Sequence, residues 1–186
     1  MKLKPGEKAP SFETTDIAGR RIRLSDYEGK KVLLCFFRYA GCPWCNLALF
    51  RLTKEYPKYE GLGLEVIAFI QSSRENIENN VTKRHHPAPQ FPLIADQQRK
   101  VYQQYGVEDS LFAFAKSIRK IPQFIEAWFH HKFRQGKIDG STTLVPAQFL
   151  IGPPGLQIHK ASYGADYFDR IPMAEILEFA RRGQKP

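Results

Sequence analysis

The chain has 186 residues, of which 42% are apolar, which is enough for one substantial core, so we expect a single domain over residues 1–186. Three cysteines are too few for a secreted scaffold held by disulfides, and no stretch approaches the ~20 apolar residues of a membrane span. Without an apolar signal segment, these features predict a cytoplasmic protein with no stable membrane insertion. The formal charge of +9 favours anionic partners in general, but we expect no nucleic-acid partner.

The first half of the chain alternates strand and helix patterns. Residues 12–14 and 21–24 flank the turn signal Ala18-Gly19, which predicts an N-terminal hairpin. The apolar run 31–37 predicts a central strand that is covered on both faces. The following segments predict, in order, a helix ending near Pro57, a parallel strand at 64–70, a polar helix around 73–83, a strand at 91–95 and a helix at 97–105.

Residues 107–140 interrupt this alternation as a helical insertion. Their apolar residues are spaced one, three or four apart and Pro122 breaks the run, so we expect two helices that meet at Pro122. The insertion is aromatic and basic, with the cations Lys116, Arg119, Lys120, Lys132, Arg134 and Lys137. One interpretation is a docking surface for a membrane or an acidic partner. The other, which we favour, is an insertion packed on the core, because amphipathic stripes are ordinary globular architecture.

A second hairpin is predicted after the insertion. Its strands lie at 147–151 and 157–162 and are joined by Pro153-Pro154-Gly155, and a terminal helix follows from about Pro172 to Arg182. The alternation as a whole predicts an α/β fold.

The sequence Gly41-Cys42-Pro43-Trp44-Cys45 lies between the predicted strand at 31–37 and the helix after it. Two cysteines three residues apart on a first helical turn can close a small disulfide ring, and the helix N-terminus favours the thiolate. Cys42, which we expect to be the exposed thiol, would attack a substrate disulfide, and Cys45 would resolve the mixed disulfide. Trp44 offers a flat contact surface beside the sulfur. With a peroxide substrate the roles would reverse, Cys45 being oxidised to a sulfenic acid with which Cys42 condenses.

Three further segments carry a family signature: KPGEKAPSF at 4–12, LSDYEGK at 24–30 and FPLIAD at 91–96. Together they resemble the AhpC/TSA (peroxiredoxin-like) branch of the thioredoxin superfamily, over most of the chain outside the insertion. The resemblance implies a thioredoxin-like fold, with a central mixed sheet flanked by helices.

The chain also departs from that family at the site. A peroxiredoxin resembling it would carry Pro at the place of Arg38, Thr at that of Cys42 and its peroxidatic cysteine at that of Cys45, so only Cys45 matches. The peroxide-activating Arg of the family would fall near Pro146 and is absent there. Val145-Pro146 instead resembles the thioredoxin-type cis-Pro segment, whose backbone pairs with a bound peptide or thiol, so we expect a cis bond and a substrate-binding role. The Pro-Trp pair between the cysteines is similar to the Pro-Tyr of glutaredoxins.

Several other residues have simpler interpretations. Cys35 alternates within an apolar strand and is expected to be a buried, inert hydrophobe. A zinc site is not expected, since no second C-x-x-C exists and the histidine pairs lie in separate segments. His85-His86 is interpreted as a solvated loop pair without a role. Arg38 either supports a thiolate or caps the strand end in solvent, and the sequence does not separate these alternatives.

Three functional hypotheses follow. The first is a thiol-disulfide oxidoreductase that uses Cys42 and Cys45 without metal or organic cofactor and is regenerated by a thiol reductant of the thioredoxin or glutathione type. The second is a thiol peroxidase with Cys45 as the peroxidatic and Cys42 as the resolving cysteine. The third is a non-enzymatic binding module that uses the basic aromatic insertion. A homodimer is left open.

Overall fold

The core of the structure is a five-stranded mixed sheet. The computed structural model describes residues 1–117 and 132–183. The strands are β1 (Glu13–Thr15), β2 (Arg21–Arg23), β3 (Lys31–Phe37), β4 (Leu64–Ile70), β5 (Leu93–Ala95), β6 (Ala147–Gly152) and β7 (Gln157–Tyr163). The sheet has the order β5-β4-β3-β6-β7, with β3, β4 and β5 parallel and β6 antiparallel to both β3 and β7. β1 and β2 form the predicted N-terminal hairpin.

Helices cover the sheet and differ in places from the prediction. They are α1 (Pro43–Gly61), α2 (Arg74–Ile77), α3 (Lys100–Gln104), α4 (Leu111–Ser117) and α5 (Met173–Arg181), with a 3-10 turn at Leu24–Tyr27 and a π-helical turn at Glu78–Thr82. The predicted end near Pro57 is wrong, since α1 continues to Gly61. Tyr56 and Tyr59 on either side of Pro57 are buried, so packing outweighs the hydrogen bond that the proline removes.

Alternate residues of β3 serve two cores. Leu33, Cys35 and Phe37 belong to the cluster that contains buried residues of α1 and α5. Val32, Leu34 and Phe36 belong to the cluster formed with the N-terminal segment and α3. The period of two explains why the strand is apolar throughout. The prediction of a central strand covered on both faces is confirmed.

The insertion is described only in part. Of the two helices expected to meet at Pro122, the structure describes α4, and the remainder of that prediction lies outside the described residues. Residues 132–139 follow without regular secondary structure and lead back toward β6. None of the helices in the described ranges is long and apolar enough to cross a membrane. The single domain over residues 1–186 stays a prediction.

Candidate active site

The two cysteines lie where β3 gives way to α1. Cys42 is the residue that caps α1, with extended backbone angles of φ −79° and ψ 121°, and Pro43 occupies the first turn. The backbone N–H of Cys45 donates to Cys42 Sγ at 3.5 Å. Pro43 suits this position because the first N–H groups of a helix have no partner within the helix. Of the helix N–H groups predicted to surround Cys42, that of Cys45 contacts its sulfur.

Cys42 is buried, so the expectation that it is the exposed thiol is wrong. Its exposure is 1% and that of Cys45 is 6%. The segment 134–142, which we call the strap, contacts the neighbours Gly41 and Arg38 of this cysteine. The N–H of Gly136 donates to the carbonyl of Gly41 at 2.8 Å, and a Cβ on Gly41 would collide with the carbonyl of Lys137. Gly41 therefore permits the close approach of two backbones over the dithiol.

Asp139 anchors the strap to the end of β4. Its carboxylate accepts hydrogen bonds from Ser72 Oγ at 2.5 Å, from the backbone N–H of Ser73 at 2.8 Å and from Asn76 Nδ2 at 2.6 Å. Partial burial raises the pKa of Asp139, but these hydrogen bonds from Ser72, Ser73 and Asn76 outweigh it and hold the pKa below its ordinary value. The strap is therefore attached through a charged group that stays ionised at neutral pH.

Arg38 lies beside the sulfur of Cys42 and is only 2% exposed. Its Nη2 donates to Cys42 Sγ at 2.7 Å, its Nη1 donates to the carbonyl of Thr142 in the strap at 2.8 Å, and its guanidinium lies 3.5 Å from the ring centre of Tyr167. Burial lowers the pKa of Arg38, but the negative charges of Cys42 and Cys45 raise it more strongly. Arg38 is thus a buried cation at the dithiol, and the alternative of a solvated strand cap is wrong.

The two thiols titrate as a pair. The hydrogen bond with Cys42 lowers the pKa of Cys45 to about 5 against the effect of burial, and the charges of Arg38 and Arg170 lower it further. Burial and the hydrogen bond to Cys45 hold the pKa of Cys42 well above its ordinary value. The pair therefore shares one proton and carries one negative charge near neutral pH, and this ionisation belongs to the pair as a whole.

A hydrogen-bond chain that sequence reasoning missed shapes the cysteine loop. Asn46 Nδ2 donates to the carbonyls of Ala40 at 2.6 Å and Cys42 at 3.0 Å, and Asn46 Oδ1 lies 2.8 Å from His85 Nε2. His85 is fully buried and its ring is 5.0 Å from that of Phe133, so its interpretation as a solvated loop residue is wrong. Asn46 occupies a buried position of α1, and a polar residue at such a position is a sequence signal of a buried hydrogen bond.

Trp44 is half-buried at the start of α1. Its ring centre lies 5.7 Å from that of Tyr167 and 5.5 Å from that of Phe168, and the guanidinium of Arg38 lies 5.4 Å from its ring. These aromatic residues come from the segment after β7, which the sequence did not assign to the site. The predicted flat surface beside the cysteines is therefore part of an aromatic wall.

The Val145–Pro146 peptide bond is trans, so the predicted cis bond is wrong. The N–H of Val145 donates to the carbonyl of Glu108 at 3.1 Å, and the carbonyl of Pro146 accepts from the N–H of Gly164 at 3.0 Å. These bonds hold both residues as an extended lead into β6. The register places Pro146 one residue before the Ala147–Phe36 pair, at the same end of the sheet as the cysteines. The N–H of Val145 is already used within the protein.

Cys35 is fully buried in β3, as predicted. Gln148 Nε2 donates to its Sγ at 3.3 Å, and burial raises the pKa of the thiol to about 12. Cys35 is thus protonated and shielded at neutral pH, as expected of an inert thiol. Within residues 1–117 and 132–183, no cluster of three or more His, Cys, Asp or Glu side chains that could hold a metal ion is found.

The fold and the site together define a thioredoxin-like protein with a dithiol at the N-terminus of its first long helix. The profile of the AhpC/TSA family matches residues 5–156, so the chain belongs to the AhpC/TSA family. The resemblance that the sequence motifs indicated is confirmed.

Curated relatives and solved structures are consistent with this assignment. The thiol-disulfide oxidoreductase ResA of Bacillus thuringiensis is 32% identical over 106 residues, which are 57% of this chain and 60% of the relative. A putative peroxiredoxin of Mycobacterium tuberculosis is 28% identical over 120 residues, 64% of this chain and 74% of the relative. The chain thus spans less than two thirds of the length of the ResA proteins it matches.

Two peroxiredoxin structures show the same fold. The crystal structure of peroxidoxin BcpB from Mycobacterium tuberculosis superposes with a TM-score of 0.67 at 16% identity, covering 98% of this chain and 99% of the other. A reduced 2-Cys peroxiredoxin of Plasmodium vivax gives a TM-score of 0.67 at 15% identity, covering 96% of this chain and 80% of the other. The predicted thioredoxin-like fold is therefore confirmed.

Proposed function

We propose that the protein is a thiol-disulfide oxidoreductase whose redox-active dithiol is Cys42 and Cys45. The observation that carries the proposal is the contact of Arg38 Nη2 with Cys42 Sγ at 2.7 Å, in a C-x-x-C pair at a helix N-terminus. A buried cation and a helix N–H group both favour a thiolate, which is the nucleophile in disulfide exchange. The relatives named as thiol-disulfide oxidoreductases support the same reaction.

The reaction proceeds in two exchanges. The proton that the pair shares moves from Cys42 to Cys45, and the Cys42 thiolate then attacks one sulfur of a substrate disulfide. The substrate S–S bond breaks, and one substrate thiolate leaves as a mixed disulfide forms. Cys45 then passes its proton to the first substrate thiolate, attacks Cys42 Sγ and releases the second substrate thiolate, so two electrons pass from the dithiol to the substrate. Run in reverse, the Cys42–Cys45 disulfide oxidises a substrate dithiol. The thiolate that attacks the substrate therefore carries the negative charge that Arg38 neutralises in the reduced pair.

Cys42 is buried, and substrate would reach it by movement of the strap, which contacts Gly41 and Arg38 beside it. Trp44 would then contact the substrate beside the sulfur, and in the Val145-Pro146 segment the carbonyl of Val145 would accept a hydrogen bond from a bound peptide or thiol. A thiol reductant of the thioredoxin or glutathione type would complete the cycle. We place the reaction in the cytoplasm, where such reductants keep thiols reduced. A homodimer remains part of the proposal.

A second candidate is a thiol peroxidase, which the pKa of about 5 for Cys45 favours. The Cys45 thiolate would attack a peroxide oxygen, the O–O bond would break, and water or an alcohol would leave as Cys45 becomes a sulfenic acid. Cys42 would then condense with it to form the disulfide and release water.

The third hypothesis, a binding module that uses the basic aromatic insertion, stays a prediction, because residues 118–131 lie outside the described ranges.

Stopped-flow oxidation of the reduced protein by oxidised glutathione and by hydrogen peroxide distinguishes these candidates. For an oxidoreductase we expect rapid reaction with glutathione disulfide that Cys42→Ser abolishes, and slow reaction with peroxide. Rapid peroxide reaction that depends on Cys45 and tolerates Cys42→Ser in its first step would support the peroxidase instead. Cys35→Ser is the matched control and should react like wild type, since Cys35 is buried and protonated.

A further inference from the structure

A cavity of about 290 Å³ lies between α1 and the segment that leads into α5. Its walls are mostly apolar and include Phe37, Trp44, Leu47, Leu52, Ile171 and Ile176. Trp44 belongs both to the C-x-x-C motif and to this wall, so a molecule in the cavity lies next to the dithiol. The size is that of a small-ligand site.

The charged groups of the cavity are cationic. Arg51 and Arg170 line it, and among the described lining residues there is no aspartate or glutamate. Arg170 Nη1 donates to the carbonyls of Tyr167 at 3.3 Å and Asp169 at 3.1 Å, which fixes the guanidinium. Its Nη2 is buried and has no hydrogen-bond partner among the residues that the structure describes. A buried cationic donor without a partner is costly, and an anion would satisfy it.

Support of the thiolate is a competing role for Arg170, because its charge contributes to lowering the pKa of Cys45. That role requires proximity only. It leaves Nη2 without a hydrogen-bond acceptor and gives no reason for an apolar cavity at the same guanidinium. The two roles therefore make different predictions for ligand binding.

We propose that this cavity binds the carboxylate-bearing apolar part of the substrate. The guanidinium of Arg170 donates to the carboxylate after a small shift that brings the buried Nη2 to the cavity wall, and the hydrocarbon or aromatic body packs on Leu47, Ile171 and Ile176. Met173, which is 47% exposed, lies at the edge of the cavity. The inference rests on the proposed redox function and specifies its substrate class as disulfides or hydroperoxides that carry an acidic apolar group.

Binding is tested first without any reaction. The chain has two tryptophans, so in a Trp128→Phe background Trp44 fluorescence reports on the cavity. The reduced protein is titrated with octanoate, with octanol as the neutral probe and with acetate as the probe without an apolar body. We expect saturable binding of octanoate, weaker binding of octanol and none of acetate. Arg170→Met should weaken octanoate binding by roughly tenfold or more, the contribution of a charge-assisted hydrogen bond.

Arg181→Met is the matched control, because Arg181 is exposed on α5 outside the cavity and its loss makes the same change in net charge. It should bind octanoate like wild type. If Arg170→Met does not fold, Arg170→Lys keeps the charge but not the fixed geometry and should also bind octanoate more weakly. Octanoate binding that is absent, or equal in wild type and the Arg170 variants, would overturn the inference.

The substrate class is tested with two aryl disulfides, the dicarboxylate dithiobis(nitrobenzoate) and the neutral dithiodipyridine. In each case the dithiol is oxidised and two aryl thiolates leave. Arg170→Met should lower the ratio of the two rates by roughly tenfold, whereas Arg181→Met should not change it. If Arg170→Met also changes the reactivity of Cys45, both rates change by the same factor, and the ratio of the two rates cancels that change. An unchanged ratio overturns the inference alone, whereas no dithiol-dependent reaction with either disulfide overturns the proposed function.

Discussion

Arg38 adds to the effect of the Cys42–Cys45 hydrogen bond on the ionisation of the dithiol, because it is a buried cation 2.7 Å from Cys42 Sγ. Since the pKa of Cys45 is lowered to about 5, the thiolate persists above that value and is lost as the pH falls through it. We expect Arg38→Met to raise the midpoint of this titration by about 1–3 units, the usual effect of removing a nearby opposite charge. The ultraviolet absorbance of the thiolate, followed during acid titration of the reduced protein, measures the midpoint.

Two controls separate the charge from other effects of the substitution. Arg38→Lys retains a cation and should shift the midpoint less than Arg38→Met does. Arg74→Met removes an exposed cation on α2 and should leave it unchanged. A midpoint that stays near 5 in Arg38→Met would show that the cation does not stabilise the thiolate.

Sequence patterns identified some contacts of the candidate site and missed others. The roles suggested for Cys42 and Cys45 depend on a spacing of three along the chain, and such local spacing is visible in a sequence. The contact of Asn46 with His85 joins residues 39 positions apart, and that of Arg38 with Thr142 joins residues 104 positions apart. Only the tertiary fold brings these pairs together, so no local pattern could have assigned them.

If the strap controls access to the dithiol as proposed, its attachment through Asp139 should govern that access. Since a hydrogen bond to a charged group contributes about 1.5–3 kcal/mol, loss of even one such bond is worth about tenfold, and we expect Asp139→Ala to favour an open strap and to raise the alkylation rate of Cys42 by at least about tenfold. Because the pKa of Asp139 is lowered, the anchor is complete above the ordinary carboxyl pKa and is lost as the pH falls through the lowered value. Mass spectrometry after brief treatment with iodoacetamide at neutral pH measures the rate.

Asp26→Ala provides the comparison, since Asp26 is an exposed carboxylate that pairs with Arg23 far along the chain from the strap. The alkylation rate of Cys42 in Asp26→Ala should equal that in the wild-type protein. Equal rates in Asp139→Ala and wild type would mean that substrate reaches Cys42 without release of the strap at this anchor.

Helices and strands with a clear hydrophobic pattern were predictable from the sequence, and segments without regular secondary structure were not. β3 was identified by its apolar run, and the structure explains the run by two cores on its two faces. The strap has no period, and its position depends on glycines at 41 and 136 and on one carboxylate. The trans Val145–Pro146 bond differs from the family-based expectation because backbone partners at Glu108 and Gly164 hold that segment extended.

At the scale of the whole molecule, the redox state should change the free energy of unfolding. In the reduced protein the shared thiolate neutralises Arg38, which has no carboxylate partner among the described residues, and in the disulfide this counterion is gone. Loss of one partner from a buried charge pair costs about 3–5 kcal/mol. Closing the short ring between Cys42 and Cys45 offsets about 2 kcal/mol by constraining the unfolded chain. We therefore expect the reduced protein to be more stable by about 1–3 kcal/mol.

Urea unfolding of the reduced and oxidised proteins measures this difference, and its pH dependence identifies the cause. Because the pKa of Cys45 is lowered on folding, the advantage of the reduced form is greatest near the ordinary thiol value of about 9 and is lost as the pH falls to about 5. It also declines above that value, because the pKa of Cys42 is raised on folding. In Arg38→Met the oxidised protein should be the more stable form, since the stabilisation by ring closure remains and the loss of a counterion no longer opposes it. A wild-type disulfide form more stable than the dithiol form would refute the role of the thiolate as counterion. Since folding that favours the dithiol makes the disulfide a stronger oxidant, the expected order also predicts that the Cys42–Cys45 disulfide is a stronger oxidant in the folded protein than in the unfolded chain.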